Sequence, residues 1–466
     1  MTPKEVMALC RKKDVKVVDL RFTDLFGQWR HLSIPVDKLD EDLFDDGIGI
    51  AGANIVGWET SKECDMLVVP QPETVFIDPF SSLPTLVVLG NVVDPTMSLE
   101  FDGCPRNIAQ KAQNYLMKTE IADTAFFGSQ IDFHVFDQAK FSQSPNRGFF
   151  DLETAEAQSN DALQGRSGRS DTNSGYLCTP PTDQLLDVRS NMVQTMIDCG
   201  LDLGAQFHAS GSLGQSTIGL RHKTIVEMGD AVMTYKYIVR NVARKHDKAA
   251  TFMPKPILGQ NASSMRVHFS LWKDESSLFS GSGYAGLSDI ALYALGGILR
   301  HAPAIHAFTN PTTNSYKRFV PGFNAPLYLT YSKHNQSAAC RLPMHNASPD
   351  QQRIEFRSPD PTCNPYLAFS AILLAAIDGI QNKLDPGEPA DFDQPRESET
   401  FADYTKAPSS LQDALDSLTA DHEFLLRGEV FTSEIISTWI DLKRTHEVEA
   451  LRMRPHPYEF CLYFDQ

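Results

Sequence analysis

The sequence has no paired or clustered cysteines. Its eight (Cys10, Cys64, Cys104, Cys178, Cys199, Cys340, Cys363 and Cys461) lie far apart, with no CxxC and no His/Cys grouping, which excludes a zinc-ribbon or finger site. They read as ordinary buried, reduced thiols of a cytoplasmic protein. Also missing is any apolar run near the roughly 18 residues that a membrane helix needs. The first residues, MTPKEVMALCRKKDVKVVDL, carry no hydrophobic signal-peptide core and read as an amphipathic helix followed by a strand. Positive charge is in deficit: 42 Lys and Arg stand against 59 Asp and Glu, a formal net charge of −17. That balance argues against nucleic acid and anionic membrane as partners. No internal repeat is present.

What is there is a soluble, globular composition, 42% hydrophobic and 22% charged over 466 residues. That length exceeds one ordinary core and predicts two domains. Residues 15–100 alternate apolar and polar side chains in short runs (VKVVDLRFTDL, QWRHLSIPV, TLVVLGNVV), the periodicity of strands. Near Pro105 the pattern turns helical (CPRNIAQKAQNYLMKTE), which places a boundary between domains 1–104 and 105–466. Beyond it, helical stretches such as TIVEMGDAVMTYKYIVRNVARKH and NPYLAFSAILLAAIDGIQNKL interleave with strands, an α+β pattern. Segment 139–175, rich in Ser, Gly, Asn and Asp, is expected to be a long surface loop, and 386–408 a second one.

Three strand-like runs carry chemistry-bearing residues at period two. Gln130, Asp132 and His134 share one face; Arg266, His268, Ser270 and Trp272 share another; Arg353, Glu355 and Arg357 a third. Each lies among large aromatics, as polar groups lining a cleft do. The plain alternative for each is the solvated side of an amphipathic strand. His134, His208 and His222 are the nearby candidates for a base, and the plain reading of each is a satisfied core histidine.

At these motifs the chain resembles the glutamine synthetase family, bacterial type I. NASSMRVHFSLW is similar to NGSGMHVHQSLW, NPTTNSYKRFVPGFNAP to NPTTNSYKRLVPGYEAP, and RIEFRSPDPTCNPYLAFSAILL to the family's late strand and helix. DLRFTDLFGQWRHLSIP and the carboxy-terminal VFTSEIISTWIDLKRTHEVEALRMRPHPYEFCLYF extend the likeness over the full length. The resemblance implies an N-terminal β-grasp domain, a larger catalytic domain and homo-oligomers of hexameric rings or dodecamers with sites between subunits. It also implies a role in nitrogen metabolism: ATP-dependent amidation of glutamate with two magnesium or manganese ions.

Position by position, the resemblance also implies losses. Metal-ligand positions carry Asp132, Ala209 and Thr217 for one ion, and Gln130, Arg266 and Glu355 for the other. Arginine has no lone pair for a metal, so no metal cofactor is expected, with Asp132 and Glu355 as residual candidates. An Arg266–Glu355 salt bridge is expected in the ion's place. Ala51 replaces the ammonium base, Asn324 the flap glutamate, Gln336 a phosphate-contacting arginine and Ala262 a substrate-site glycine, while the adenylylated tyrosine aligns near Pro395. Asn261, Arg318 and Arg357 match substrate contacts. His268, Ser270, Trp272, Arg341 and Arg353 match the nucleotide side. The expectation drawn from these replacements is a pseudoenzyme of structural, regulatory or ligand-binding role. Set against it are a repurposed enzyme acting on another amino acid or amine, and an active glutamate–ammonia ligase.

Overall fold

The computed structural model describes every residue except 59–64, 97–98, 157–174, 212, 321–324, 345–350 and 392–403. It opens with α1 (Pro3–Lys12), closed at its start by a capping box between Thr2 and Glu5. Then come β1 (Val17–Thr23), β2 (Trp29–Pro35), the short α2 (Leu43–Asp46), β3 (Ile48–Ala51), β4 (Asp65–Pro70), β5 (Phe76–Ile77), β6 (Thr85–Asp94) and β7 (Leu99–Glu100). These strands form one sheet in the order β2-β1-β6-β4-β3, with β5 and β7 on β6. β1 and β6 run parallel and their neighbours antiparallel. Val18, Leu20, Val68, Leu86 and Val88 point into a core of their own with Val6 and Cys10 of α1.

The larger part begins at α3 (Pro105–Lys118) and continues through β8 (Thr124–Phe136), β9 (Gln138–Ser144), β10 (Arg147–Glu153), α4 (Leu186–Asp198), β11 (Leu203–His208), β12 (Gln215–Thr224) and α5 (Ile225–Lys245). It goes on with β13 (Ala249–Thr251), β14 (Met265–Lys273), β15 (Ser276–Ser277), α6 (Asp289–Thr309), β16 (Tyr328–Ser332), β17 (Ala338–Arg341), β18 (Ile354–Phe356) and α7 (Pro365–Asn382). α8 (Leu411–Ala420) and α9 (Ser433–Lys443) follow. The main sheet runs β11-β12-β8-β14-β18-β17-β16. One face is apolar: Phe127, Ile131 and Phe133 of β8, Met265, Val267, Phe269 and Leu271 of β14, and Ile354 and Phe356 of β18 enter a large core with α5, α6 and α7. The other face carries the polar members of the same strands. α6 and α7 cross closely because Gly297 and Gly379 meet there; a Cβ on Gly297 would come 2.0 Å from the Ala375 carbonyl oxygen.

The α+β architecture with its N-terminal β-grasp domain is as expected, and the helices expected after Pro105 form. Segment 139–175 differs. Its described first part is the β9–β10 hairpin, with Phe141 directly across from Phe150 and both rings exposed. Polar composition concealed it, because the ladder is held by backbone bonds and one aromatic pair, not by burial. The described ends of 386–408 are irregular, as expected.

Buried polar contacts join the two sheets' domains. Arg106 of α3 donates through Nε and Nη2 to both carboxylate oxygens of Asp230 at 3.0 Å, and through Nη1 to Asn91 of β6 at 2.5 Å. Tyr366 donates to the same Asp230 at 2.6 Å. Asn364, the N-cap of α7, donates to the carbonyls of Asp24 and Leu25, both at 3.2 Å. Removing one partner of a buried bidentate pair strands the other's charge, so Arg106→Ala should cost about 3–5 kcal/mol. A chemical-denaturation midpoint unchanged by the substitution would show that the clamp contributes nothing to stability.

Candidate functional site

On the polar face lies a cavity of about 540 Å³. Its wall includes Asp132 of β8, Thr217 of β12, Arg266 of β14, Arg341 of β17, and Glu355 and Arg357 at β18, with Arg318, Asn261, Ala262, Ser264, Ala209 and Gln336 from the connections. Strand register explains the assembly. β12 and β14 flank β8, setting Thr217 opposite Asp132 and Arg266 opposite Gln130. β18 pairs with β14 and β17, setting Glu355 opposite His268 on one side and Arg341 on the other.

Asp132 is fully engaged by neutral donors. One oxygen accepts from the Thr217 hydroxyl at 2.7 Å, and the other from the Ser264 amide at 2.9 Å and hydroxyl at 2.8 Å. Glu355, 3% exposed, faces Arg357 at 3.4 Å and Arg341 at 3.8 Å. Burial raises its carboxyl, but His268 across the ladder and then the charges of Arg357, Arg266 and Arg341 outweigh that and hold it below the usual carboxylate range. Burial, with Glu355 opposing and Arg266, Arg341 and Arg318 adding repulsion, brings the Arg357 guanidinium down to about 10. It therefore stays charged at neutral pH. Arg318 is brought down to about 10 chiefly by burial, and it spends its donors on backbone carbonyls: Ser358 and Arg357, each at 2.5 Å.

The expected Arg266–Glu355 salt bridge is not made within 4 Å; among the described residues the ion pairs of Glu355 are those to Arg341 and Arg357. The reason is register. Glu355 has Arg341 directly across and Arg357 two residues along its own face, whereas Arg266 stands diagonally beyond His268. Arg266 acts on Glu355 through space.

The remaining sequence candidates divide. Asn261, Ala262, Ala209, Thr217 and Gln336 reach the cavity wall. His268, Ser270 and Trp272 share the β14 face with Arg266 but lie further along and do not line the cavity; Trp272 donates to the Ser270 hydroxyl at 3.1 Å. Arg353 donates to His268 Nδ1 at 3.2 Å, and burial holds that imidazole down to about 3 and hence neutral. Ala51 ends β3, away from this cavity. Asn324 and Pro395 lie outside the described residues. His134 is a core histidine, stacked on Phe136 and within 3.1 Å of the Ser263 hydroxyl, and burial brings it to about 3. His222 lies beside His268, ring centroids 6.1 Å apart. Ser264, Tyr176 and Phe207 were not anticipated as wall residues. Ser264 was within reach, since it continues the period-two face of β14 by one step.

Magnesium or manganese requires several oxygen ligands, mostly carboxylates. The cavity offers Asp132, which already accepts three hydrogen bonds from hydroxyl and amide donors, and Glu355, which faces two guanidinium groups. No group of three or more His, Cys, Asp or Glu suited to a metal occurs among the described residues. The residues present do not fit a pair of divalent ions.

The cavity thus sits on the polar face of the larger, mixed sheet, and its wall carries four arginines and two carboxylates. Residues 14–95 match the glutamine synthetase beta-grasp domain and residues 102–463 the glutamine synthetase catalytic domain. A protein from Frankia alni named Glutamine synthetase is 45% identical, covering 99% of each chain. Another of that name from Aquifex aeolicus is 47% identical, covering 100% of this chain and 99% of its own. The solved glutamine synthetase of Plasmodium falciparum superposes with a TM-score of 0.89 at 25% identity, covering 99% of each chain. The chain belongs to the glutamine synthetase family, whose activity is glutamate–ammonia ligation.

These relatives overturn the expected pseudoenzyme. Likeness at 44–47% identity over essentially whole chains, to proteins named for the activity, supports an active member. The cavity keeps several cationic groups, Arg266, Arg318, Arg341 and Arg357.

The wall beside Ala209 has a titratable brace. His208 contacts Glu156 through Nε2 at 3.1 Å and the Ala209 carbonyl through Nδ1 at 2.9 Å, while Glu156 accepts from the Gly214 amide at 2.6 Å. Burial lowers the imidazole, but its hydrogen bond to and the charge of Glu156 outweigh that and raise it. A raised folded value means stabilisation is complete below the unfolded value of about 6.5 and is lost as pH rises through the folded value. Melting temperatures across that window should fall with rising pH in the parent. Glu156→Gln should remove this slope, and an unchanged slope would refute the brace.

Proposed function

We propose that this chain is an active ATP-dependent glutamate–ammonia ligase, with the arginine-walled cavity as its reaction chamber. The supporting observation is full-length likeness to proteins named Glutamine synthetase, joined to a cavity whose wall holds Arg357 with a buried donor, Nη1, that makes no hydrogen bond. In the first step a γ-carboxylate oxygen of glutamate forms a bond to the γ-phosphorus of ATP and the bond to ADP breaks. In the second, the ammonia nitrogen attacks the acyl carbon, phosphate departs with the C–O electron pair, and nitrogen releases a proton. Both steps place negative charge on phosphoryl oxygens, where fixed N–H donors lower the barrier without reorganising. Asn261, Arg318 and Arg357 are assigned to the glutamate side. His268, Ser270, Trp272, Arg341 and Arg353 are assigned to the nucleotide side, on the same strand faces.

The working form in this reading is a cytoplasmic homo-oligomer. Exposed Phe460, Leu462, Tyr463 and Phe464 near the carboxy terminus form an apolar surface suited to another subunit. No described helix is long and apolar enough to cross a membrane.

Purified protein given glutamate, ammonium and ATP, with magnesium or manganese also supplied, should yield glutamine and ADP in equal amounts. Arg357→Ala should reduce kcat/KM by roughly 10²–10³. Mass spectrometry showing no glutamine from the parent under any of these conditions would overturn the assignment.

A further inference from the structure

The donor set and the family's usual cations disagree, and the side chains present supply an alternative. Where the resemblance calls for a ligand to one ion, β14 carries Arg266. It lies on the cavity wall, opposite Gln130 on one side and next to the Glu355–Arg357 pair on the other. The Arg266 side chain makes no hydrogen bond and no ion pair within 4 Å among the described residues.

The charge balance around it leaves room for an anion. The wall holds four arginines (Arg266, Arg318, Arg341, Arg357) and two carboxylates (Asp132, Glu355). Asp132 is held by hydroxyl and amide donors, not by a cation, and Glu355 is shared between Arg341 and Arg357. Arg357 is only 7% exposed, yet Nη1 makes no hydrogen bond and Nε has only the 3.4 Å ion pair to Glu355, while Arg341 Nε is likewise buried without a hydrogen bond. Buried donors left unmade are costly, and crowded guanidinium groups repel one another. A tetrahedral dianion placed among them would accept those donors and offset the repulsion, with the planar N–H geometry that guanidinium offers to phosphate.

We propose that Arg266, with Arg341 and Arg357, forms a built-in cationic site that binds a phosphoryl group without any divalent metal. This rests on the ligase reading for the identity of the anion, but its binding is separable from turnover. The phosphoryl group can arrive as free phosphate or as the end of a nucleotide. A guanidinium triad of this kind neutralises charge as a metal does. It cannot exchange with solvent, so affinity for the anion becomes independent of metal supply.

The test is calorimetric titration of the full-length protein with inorganic phosphate and, separately, with ADP, each in EDTA and again in excess magnesium. At least one of the two should bind in EDTA, with an affinity that magnesium changes by less than about threefold. Arg266→Gln should weaken that metal-free binding by about tenfold or more, with Arg266→Lys intermediate, and thermal melts should confirm that both variants fold. Binding of both probes only when magnesium is present would overturn the proposal, as would Arg266→Gln binding as tightly as the parent. Glutamine formation together with strictly magnesium-dependent binding would leave the ligase assignment standing and remove this one. Metal-free binding without glutamine would do the reverse.

Discussion

Glu355 is buried among guanidinium groups, and the way this single carboxylate is divided between them shapes the cavity. Taking charges out of water costs several kcal/mol per ion unless partners replace the solvent. Glu355 meets that demand through Arg341 on the neighbouring strand and Arg357 on its own. One negative charge between two positive ones leaves a surplus, and Arg266 and Arg318 add to it. Arg318 discharges part of its demand on the Ser358 and Arg357 carbonyls, so it also fixes the backbone from which Arg357 projects. The strongly acidic chain thus keeps a cationic interior at one place, where its net charge of −17 says nothing of the local field.

That arrangement requires an accurate sheet. β14 and β18 each commit alternate residues to the apolar core, where Val267, Phe269, Ile354 and Phe356 are fully buried, so neither strand can slip by one residue without exchanging its two faces. The same packing that holds the core therefore holds the arginines. Polar crowding on one face is tolerable because the opposite face is anchored against α5, α6 and α7.

Period-two alternation made these faces legible from the sequence, and long family motifs made the domain types legible. Register was not. Whether Arg266 or Arg341 stands across from Glu355 depends on which residues of two distant strands align, and no single strand carries that information. The β9–β10 hairpin was hidden for a related reason: its residues are mostly exposed, so composition resembled a loop while backbone pairing made a ladder. The His208–Glu156 brace joins residues 52 apart in the chain, and nothing near either one marks the other. His134 was easier, since an imidazole on an aromatic-rich strand is most simply a packed core group, and it stacks on Phe136.

The replaced metal-ligand positions pointed toward lost activity because each was judged by what its family counterpart does. Catalysis of phosphoryl transfer depends on positive charge and fixed donors at the transferring oxygens, and an ion held by carboxylates is one way of delivering them. A carboxylate-bound ion and a guanidinium differ in geometry and exchange, but both place positive charge where the phosphoryl group develops negative charge. An arginine at this point of the wall shifts the local charge in the positive direction. Loss of the ion alone would leave Asp132 and Glu355 facing an anionic substrate without compensation. With Arg266, Arg341 and Arg357 on the wall, those carboxylates are outnumbered, and the local field favours an anion.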